Sequence, residues 1–230
     1  MFKDLGVVIP VRLGSSRIKE KAILPFADSN LLEWKIDQLK NVISPENIYV
    51  STESDKLKEI AFNKGVQVHE RDHYLADGHK ASFSEVITGI IQDIPFKYIA
   101  WVTVVVPLMS PLEYRQAFEA FYKYVVEKKE NDSLFSANLL KEYFWNENSP
   151  INYEASRNHT ISQNLPNIYK VTNGLYMREK TSIIKDGYFL GNNPYKFVVS
   201  KIAGIDIDEE EDYEISKALL SIYNNSQKSS

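Results

Sequence analysis

Apolar residues follow two rhythms along this chain. Short apolar stretches with β-branched residues occur at Val7–Val11, Asn47–Thr52, Val66–His69 and Tyr98–Val106, as buried strands require. Between them the apolar positions repeat at helical spacing. Leu32, Ile36 and Leu39 follow a cap at Ser29 or Asn30, while Leu57, Ile60 and Ala61 follow Ser54 and stop at Gly65. Ser110 and Pro111 open a helix predicted to reach about Lys128, and Asp132–Ala137 and Val171–Met177 read as further strands. Tyr213, Ile215, Leu219 and Leu220 mark a last helix before a tail, 226–230, expected to fray. Strand alternating with helix predicts an α/β fold, a mostly parallel sheet with helices on both faces and ligands beyond the carboxyl ends of the strands. Residues 138–168 fit neither rhythm. A stretch this long inside a domain is usually functional, and its aromatic content, with Trp145 and Tyr153, argues against disorder.

Composition narrows the picture. The 230 residues suffice for one good-sized domain, 1–230, and 43% hydrophobic content supports a core. With 27 basic against 31 acidic residues the net charge is -4, so nucleic acid is not an expected partner, whereas a small anion at a local basic site is. Zero cysteines remove disulfides, thiolate metal sites and a cysteine nucleophile. No secretory signal pattern or bilayer-length apolar run is present, so no membrane association and a cytoplasmic location are expected.

The loop after the first strand carries the densest chemistry. Arg12, Arg17 and Lys21 fall within one connection that also holds Gly14, Ser15 and Ser16. A glycine allows close backbone approach, N–H groups and hydroxyls donate hydrogen bonds, and the cations offset phosphate charge. A nucleoside triphosphate fits such a loop, although first-strand loops are also often basic without a ligand. The order R-x-G-S-x-R-x-x-x-K resembles the signature loop of the cytidylyltransferases that activate 2-keto-3-deoxy sugar acids, the acylneuraminate and 3-deoxy-manno-octulosonate enzymes. The resemblance runs from this loop to about residue 208. It implies a Rossmann-like domain with an inserted dimerisation excursion, CTP and an acidic keto-sugar as substrates, and a homodimer. It assigns Arg12, Gly14, Ser15, Arg17 and Lys21 to the CTP phosphates, with Lys21 at the α-phosphate and Lys21 and Arg12 as catalytic cations. Lys19 and Ala22 depart from the family pattern, as do Pro107 and Glu113 at the junction after the 98–106 run.

Other residues also take roles from the resemblance. Arg71, Ser82 and Ser84 match positions that line the cytosine and ribose pocket; as bare residues they read equally as a surface arginine and helix-capping serines. His73 and His79 read as solvated loop histidines. The excursion at 138–168 matches the family's dimer contact and part of its sugar pocket. Gln163, Lys170 and Asn173 match its sugar side, though Asn173-Gly174 is also a common turn signal.

Asp206 and Asp208 alternate in a predicted strand, which puts both carboxylates on one side. Mg²⁺ takes one or two carboxylates plus substrate phosphates, and the spacing matches the family's metal pair; the plainer reading is a strand end with Asp208 as helix cap. Two further readings stand beside the transferase: a catalytically silent nucleotide- or sugar-binding protein on the same fold, and a dinucleotide oxidoreductase, which lacks the G-x-G-x-x-G fingerprint.

Overall fold

The computed structural model of the chain describes residues 2–14, 17–77 and 80–228. Its strands are β1 (Leu5–Pro10), β2 (Pro25–Phe26), β3 (Ser29–Asn30), β4 (Ile48–Thr52), β5 (Gln67–Glu70), β6 (Tyr98–Val102), β7 (Ser133–Leu140), β8 (Ile168–Glu179) and β9 (Pro194–Val198). Its α-helices are α1 (Leu31–Lys40), α2 (Asp55–Asn63), α3 (His73–Ala76), α4 (Phe83–Ile91), α5 (Pro111–Phe121), α6 (Lys180–Asp186), α7 (Glu210–Ala218) and α8 (Leu220–Lys228). β2 and β3 form a small hairpin, and the other seven strands form one sheet in the order β5-β4-β1-β6-β8-β7-β9. Within it β8 runs against its neighbours, pairing antiparallel with β6 and β7. The remaining pairings are parallel.

The apolar runs are continuous because both faces of the sheet are covered. In β1, Leu5, Val7 and Ile9 point into one core and Val8 into the other. In β6, Tyr98, Ala100 and Val102 share the first side, Ile99 and Trp101 the second. Helices α1, α2 and α5 close the first core with Leu32, Ile36, Leu57, Ala61 and Phe118. Helices α4 and α6 close the second with Ile87, Ile90, Ile91 and Ile183. Burying β1 on both sides fixes the direction and height of the loop that leaves it at Pro10.

Several expected boundaries shift for identifiable reasons. The apolar run at 98–106 leaves the sheet at Val102, because the Val106 and Pro107 carbonyls are taken by Lys35, Trp34 and Gln38 instead of by a neighbouring strand. Val104 and Val106 still reach the core from that turn. The helix after Ser110 is α-helical to Phe121 and then widens to a π-turn at Tyr122–Glu127. β7 and β8 run further than predicted, which shortens the irregular stretch to 141–167. Helix persists to Lys228 although a frayed tail was expected from Ser226, and 229–230 lie outside the described residues. Residues 205–208 are extended but are not a strand, although Ile207 N donates to Val105 O at 2.8 Å. Asp208 is not the helix cap either. Glu209 caps α7, in a reciprocal box with Asp212.

Candidate active site

The strand order reverses at β1: β4 and β5 lie to one side of it, β6 to the other. The loops after β1 and β6 therefore diverge and leave a crevice at their carboxyl ends. A cleft of about 230 Å³ occupies it, lined by Arg12, Arg17 and Lys21 from the first loop, Val104 and Val105 from the second, and Asp208. A second cleft of about 250 Å³ opens on the other flank of Arg12, walled by Arg71, Leu75, Ala76 and Phe83. Arg12 lines both, and it is held there by donating from Nη1 to the Ala76 carbonyl at 2.7 Å.

Lys21 opens a short 3-10 turn after Glu20, whose φ is 51°. Its Nζ donates to the Ile207 carbonyl at 2.5 Å and lies 3.7 Å from the Asp208 carboxylate. Arg17 Nη1 lies 3.0 Å from the other Asp208 oxygen. The basic loop and the acidic segment, 187 residues apart at Lys21 and Asp208, thus close on each other. Opposite charges at these distances gather at the rim of a cleft without neutralising it.

Extended backbone accounts for the two carboxylates as well as a strand would. Ile207 is fully buried, which turns Asp206 and Asp208 away from the core. Asp206 is partly buried, and its Oδ1 has no hydrogen-bond partner among the described residues. Burial raises its pKa above the ordinary carboxylate value, Asp208 and Asp212 add to the rise, and the Asn173 amide and Lys21 oppose it. A buried, unpartnered carboxylate oxygen beside a second carboxylate suits a hard cation that completes its shell with phosphate oxygens. Among the described residues no cluster of three or more His, Cys, Asp or Glu side chains assembles, so the donors fit Mg²⁺ shared with a substrate better than a metal caged by protein.

Asn173 sits inside β8 with φ 57°, opposite a register shift between Phe135 and Ala137. The Asn-Gly pair is therefore a bulge and not a hairpin turn. Its Nδ2 donates to Asp206 Oδ2 at 2.8 Å, its Oδ1 accepts from the Tyr176 hydroxyl at 2.7 Å, and its carbonyl accepts from Thr103 Oγ1 at 2.8 Å. Burial, then Tyr188 and Asp206, push the Tyr176 hydroxyl up to about 12.

Arg71 is not a surface arginine. It is 5% exposed and donates from Nη2 to Val11 O at 2.6 Å and to Glu53 Oε2 at 2.7 Å, tying the ends of β1, β4 and β5 together at the second cleft. Ser82 caps α4, its hydroxyl and backbone both engaged with Glu85. Ser84 packs against Gly187, away from both clefts. An atom added at Gly14 would meet nothing within 4 Å among the described residues. Ser15 lies outside the described residues, as does His79. Gln163 and Lys170 are exposed and line neither cleft.

The departures noted in the sequence have structural occupations. Ala22 is buried in the wall of the first cleft, and Lys19 is exposed. Pro107 offers its carbonyl to Trp34 and Gln38. Glu113 closes a capping box with Ser110 and accepts from the Ser200 N–H at 2.8 Å. Sequence reasoning missed Glu53, Thr103 and Tyr176. The first two stand just past the carboxyl ends of β4 and β6, the edge where ligands were expected, and that placement was the available signal.

A crevice at the strand-order reversal, lined by Arg12, Arg17, Lys21 and Asp208, has the chemistry to handle a nucleotide. The cytidylyltransferase family model matches residues 6–189, and the chain belongs to that family; it is a CTP-dependent nucleotidyltransferase. Post-translational flagellin modification protein B of Campylobacter coli is 24% identical over 95% of this chain and 96% of its own. Pseudaminic acid cytidylyltransferase of Campylobacter jejuni subsp. jejuni serotype O:23/36 is 24% identical over 94% of this chain and 95% of its own. Among solved structures, CMP:2-keto-3-deoxy-manno-octonic acid synthetase complexed with CTP shares the fold, with a TM-score of 0.65 at 12% identity over 95% of this chain and 98% of that one.

Proposed function

We propose that this cytidylyltransferase activates a 2-keto-3-deoxy sugar acid, of the eight-carbon octulosonic or nine-carbon nonulosonic class, giving the CMP-sugar and pyrophosphate. The observation that carries this reading is the meeting of Lys21 and Arg17 with Asp208 at the crevice beside the partly buried Asp206. The likeness to pseudaminic acid cytidylyltransferase and to the octonic acid synthetase supports the choice of substrate.

In this reading the anomeric hydroxyl of the sugar acid attacks the α-phosphorus of CTP in line with the departing pyrophosphate. Lys21 meets the α-phosphate, and Arg12 and Arg17, with Gly14 and Ser15, meet the rest of the triphosphate. Cations fixed by protein contacts need no reorganisation as charge builds, so they favour the transition state over the ground state. Mg²⁺ held by Asp206 and Asp208 together with phosphate oxygens would supply further charge neutralisation and orientation. Arg71 and the second cleft take the cytidine, with Ser82 capping the helix that borders that cleft and Ser84 too far round to reach it. Gln163 and Lys170 are assigned to the acidic sugar, which would meet them outside both clefts, while Asn173 turns to Asp206. The excursion at 138–168 joins two copies in a cytoplasmic homodimer; its exposed Trp145, Ile151 and Ile161 favour a covered face, and no helix among the described residues is long and apolar enough to cross a membrane.

The test is incubation with CTP, Mg²⁺ and a panel of eight- and nine-carbon ulosonic acids, following pyrophosphate and the CMP-sugar mass together. Turnover with at least one member is expected. Turnover with a neutral sugar alcohol or sugar phosphate and none with any keto acid would move the substrate to another class.

A further inference from the structure

Asn173 has the geometry of a residue that spends its amide on the protein. Its position in the left-handed region at φ 57° is one that asparagine tolerates better than most side chains. Gly174 follows because an added Cβ would come within 3.1 Å of Val106 Cγ1, so the bulge is pressed against the turn that lines the first cleft. Thr103 Oγ1 pins the same bulge through the Asn173 carbonyl at 2.8 Å. From this fixed backbone the amide reaches Asp206 on one side and Tyr176 on the other.

An amide has one acceptor end and one donor end. The Tyr176 hydroxyl donates to Asn173 Oδ1 at 2.7 Å, which forces Nδ2 to face Asp206 Oδ2, where it donates at 2.8 Å. With Oδ2 held, the carboxylate cannot rotate freely, and its other oxygen, Oδ1, remains buried without a partner among the described residues. Tyr176 is itself held by stacking on Phe189, with ring centroids 5.2 Å apart. The chain of contacts therefore runs from a packed aromatic ring through the bulge to one carboxylate.

We infer that Tyr176 and Asn173 are positioning residues that aim Asp206 Oδ1 at a divalent cation carried in with the nucleotide. The inference rests on the proposed role of Asp206 and adds to it a job for two residues that do not touch the reacting atoms. Partners that orient a metal-binding group typically contribute 10–100-fold to metal affinity. Asn173, assigned above to the sugar side, commits one Nδ2 hydrogen and one Oδ1 lone pair to these protein contacts.

Two variants separate positioning from packing. Tyr176→Phe keeps the ring on Phe189 and removes only the hydroxyl. Asn173→Gly removes the amide at a backbone angle glycine adopts without strain. Mn²⁺ is titrated in the presence of CTP, with free Mn²⁺ read by electron paramagnetic resonance, on the parent, both variants and Asp206→Asn; thermal melts without metal run in parallel. The expected result is a rise of roughly tenfold or more in the Mn²⁺ dissociation constant for Tyr176→Phe and Asn173→Gly. Melting temperatures should barely move, and the turnover lost at low metal should recover at high metal. Unchanged Mn²⁺ affinity in both variants, with affinity lost in Asp206→Asn, overturns the positioning role alone. Unchanged affinity in Asp206→Asn as well overturns the metal reading on which it rests.

Discussion

Lys35 offers a stability measurement whose sign follows from its surroundings. Its side chain is fully buried under the turn at 103–109, donating at 2.8 Å to both the Val106 carbonyl and the Tyr114 hydroxyl. Burial lowers its pKa from 10.5 to about 7, only partly countered by Glu113. Because the folded value lies below the unfolded one, the unfolded chain holds more protons between about pH 7 and 10.5, and stability due to this residue rises with pH across that window. Near pH 7 the proton linkage costs the fold roughly 4 kcal/mol, and by about pH 9 roughly 2 kcal/mol of that has been relieved. Lys35→Met keeps an unbranched side chain of similar length and removes the titration. It also orphans the Val106 carbonyl, which costs about 1–3 kcal/mol at every pH, so its stability at a single pH is not diagnostic. The slope is. Urea denaturation of both proteins at about pH 7, 8 and 9 should show the parent gaining about 2 kcal/mol relative to Lys35→Met. Parallel curves would mean that Lys35 titrates normally, and the burial argument would then be wrong.

Three further outcomes are expected. Asp206→Asn should melt at the same or a higher temperature than the parent without metal near neutral pH, because burial and Asp208 disfavour the charged form; a lower melting temperature would mean that the charge is satisfied in the metal-free fold. Glu53→Gln should destabilise by about 2 kcal/mol, since it leaves the Arg71 guanidinium buried without its counter-charge; a change near zero in denaturant titration would show that the Val11 carbonyl suffices. Sedimentation at micromolar concentration should show a dimer, and Trp145→Lys together with Ile151→Lys should shift it toward monomer; a fully active parent monomer would remove the role given to the excursion.

The strands and amphipathic helices were legible because burial on both sheet faces writes itself as unbroken apolar runs and as a 3.6-residue period. The run at 98–106 misled because hydrophobicity reports burial, not pairing. Val104 and Val106 are buried from a turn whose carbonyls are claimed by Trp34, Lys35 and Gln38, contacts that span more than 60 residues. Asp206 and Asp208 were readable as a pair because alternation survives in any extended backbone. Asp208 as cap was not the outcome, since Glu209 and Asp212 form the box one residue later. Arg71 read equally as a surface residue because its partners, Val11 and Glu53, lie on other strand ends. The Asn173 bulge was hidden for a similar reason: Thr103 and Asp206 come from other parts of the chain.

That the loop after β1 and the acidic segment before α7 form one catalytic unit is the claim on which the rest depends, and a double-mutant cycle on turnover tests it. Lys21→Ala and Asp208→Asn are each expected to lower kcat about a hundredfold at moderate Mg²⁺. If both act on the same triphosphate, the double variant should fall within about tenfold of the worse single variant, because residues that work as a unit are lost together. Losses that multiply to about ten-thousandfold, or an Asp208→Asn enzyme with parental turnover, would contradict the account.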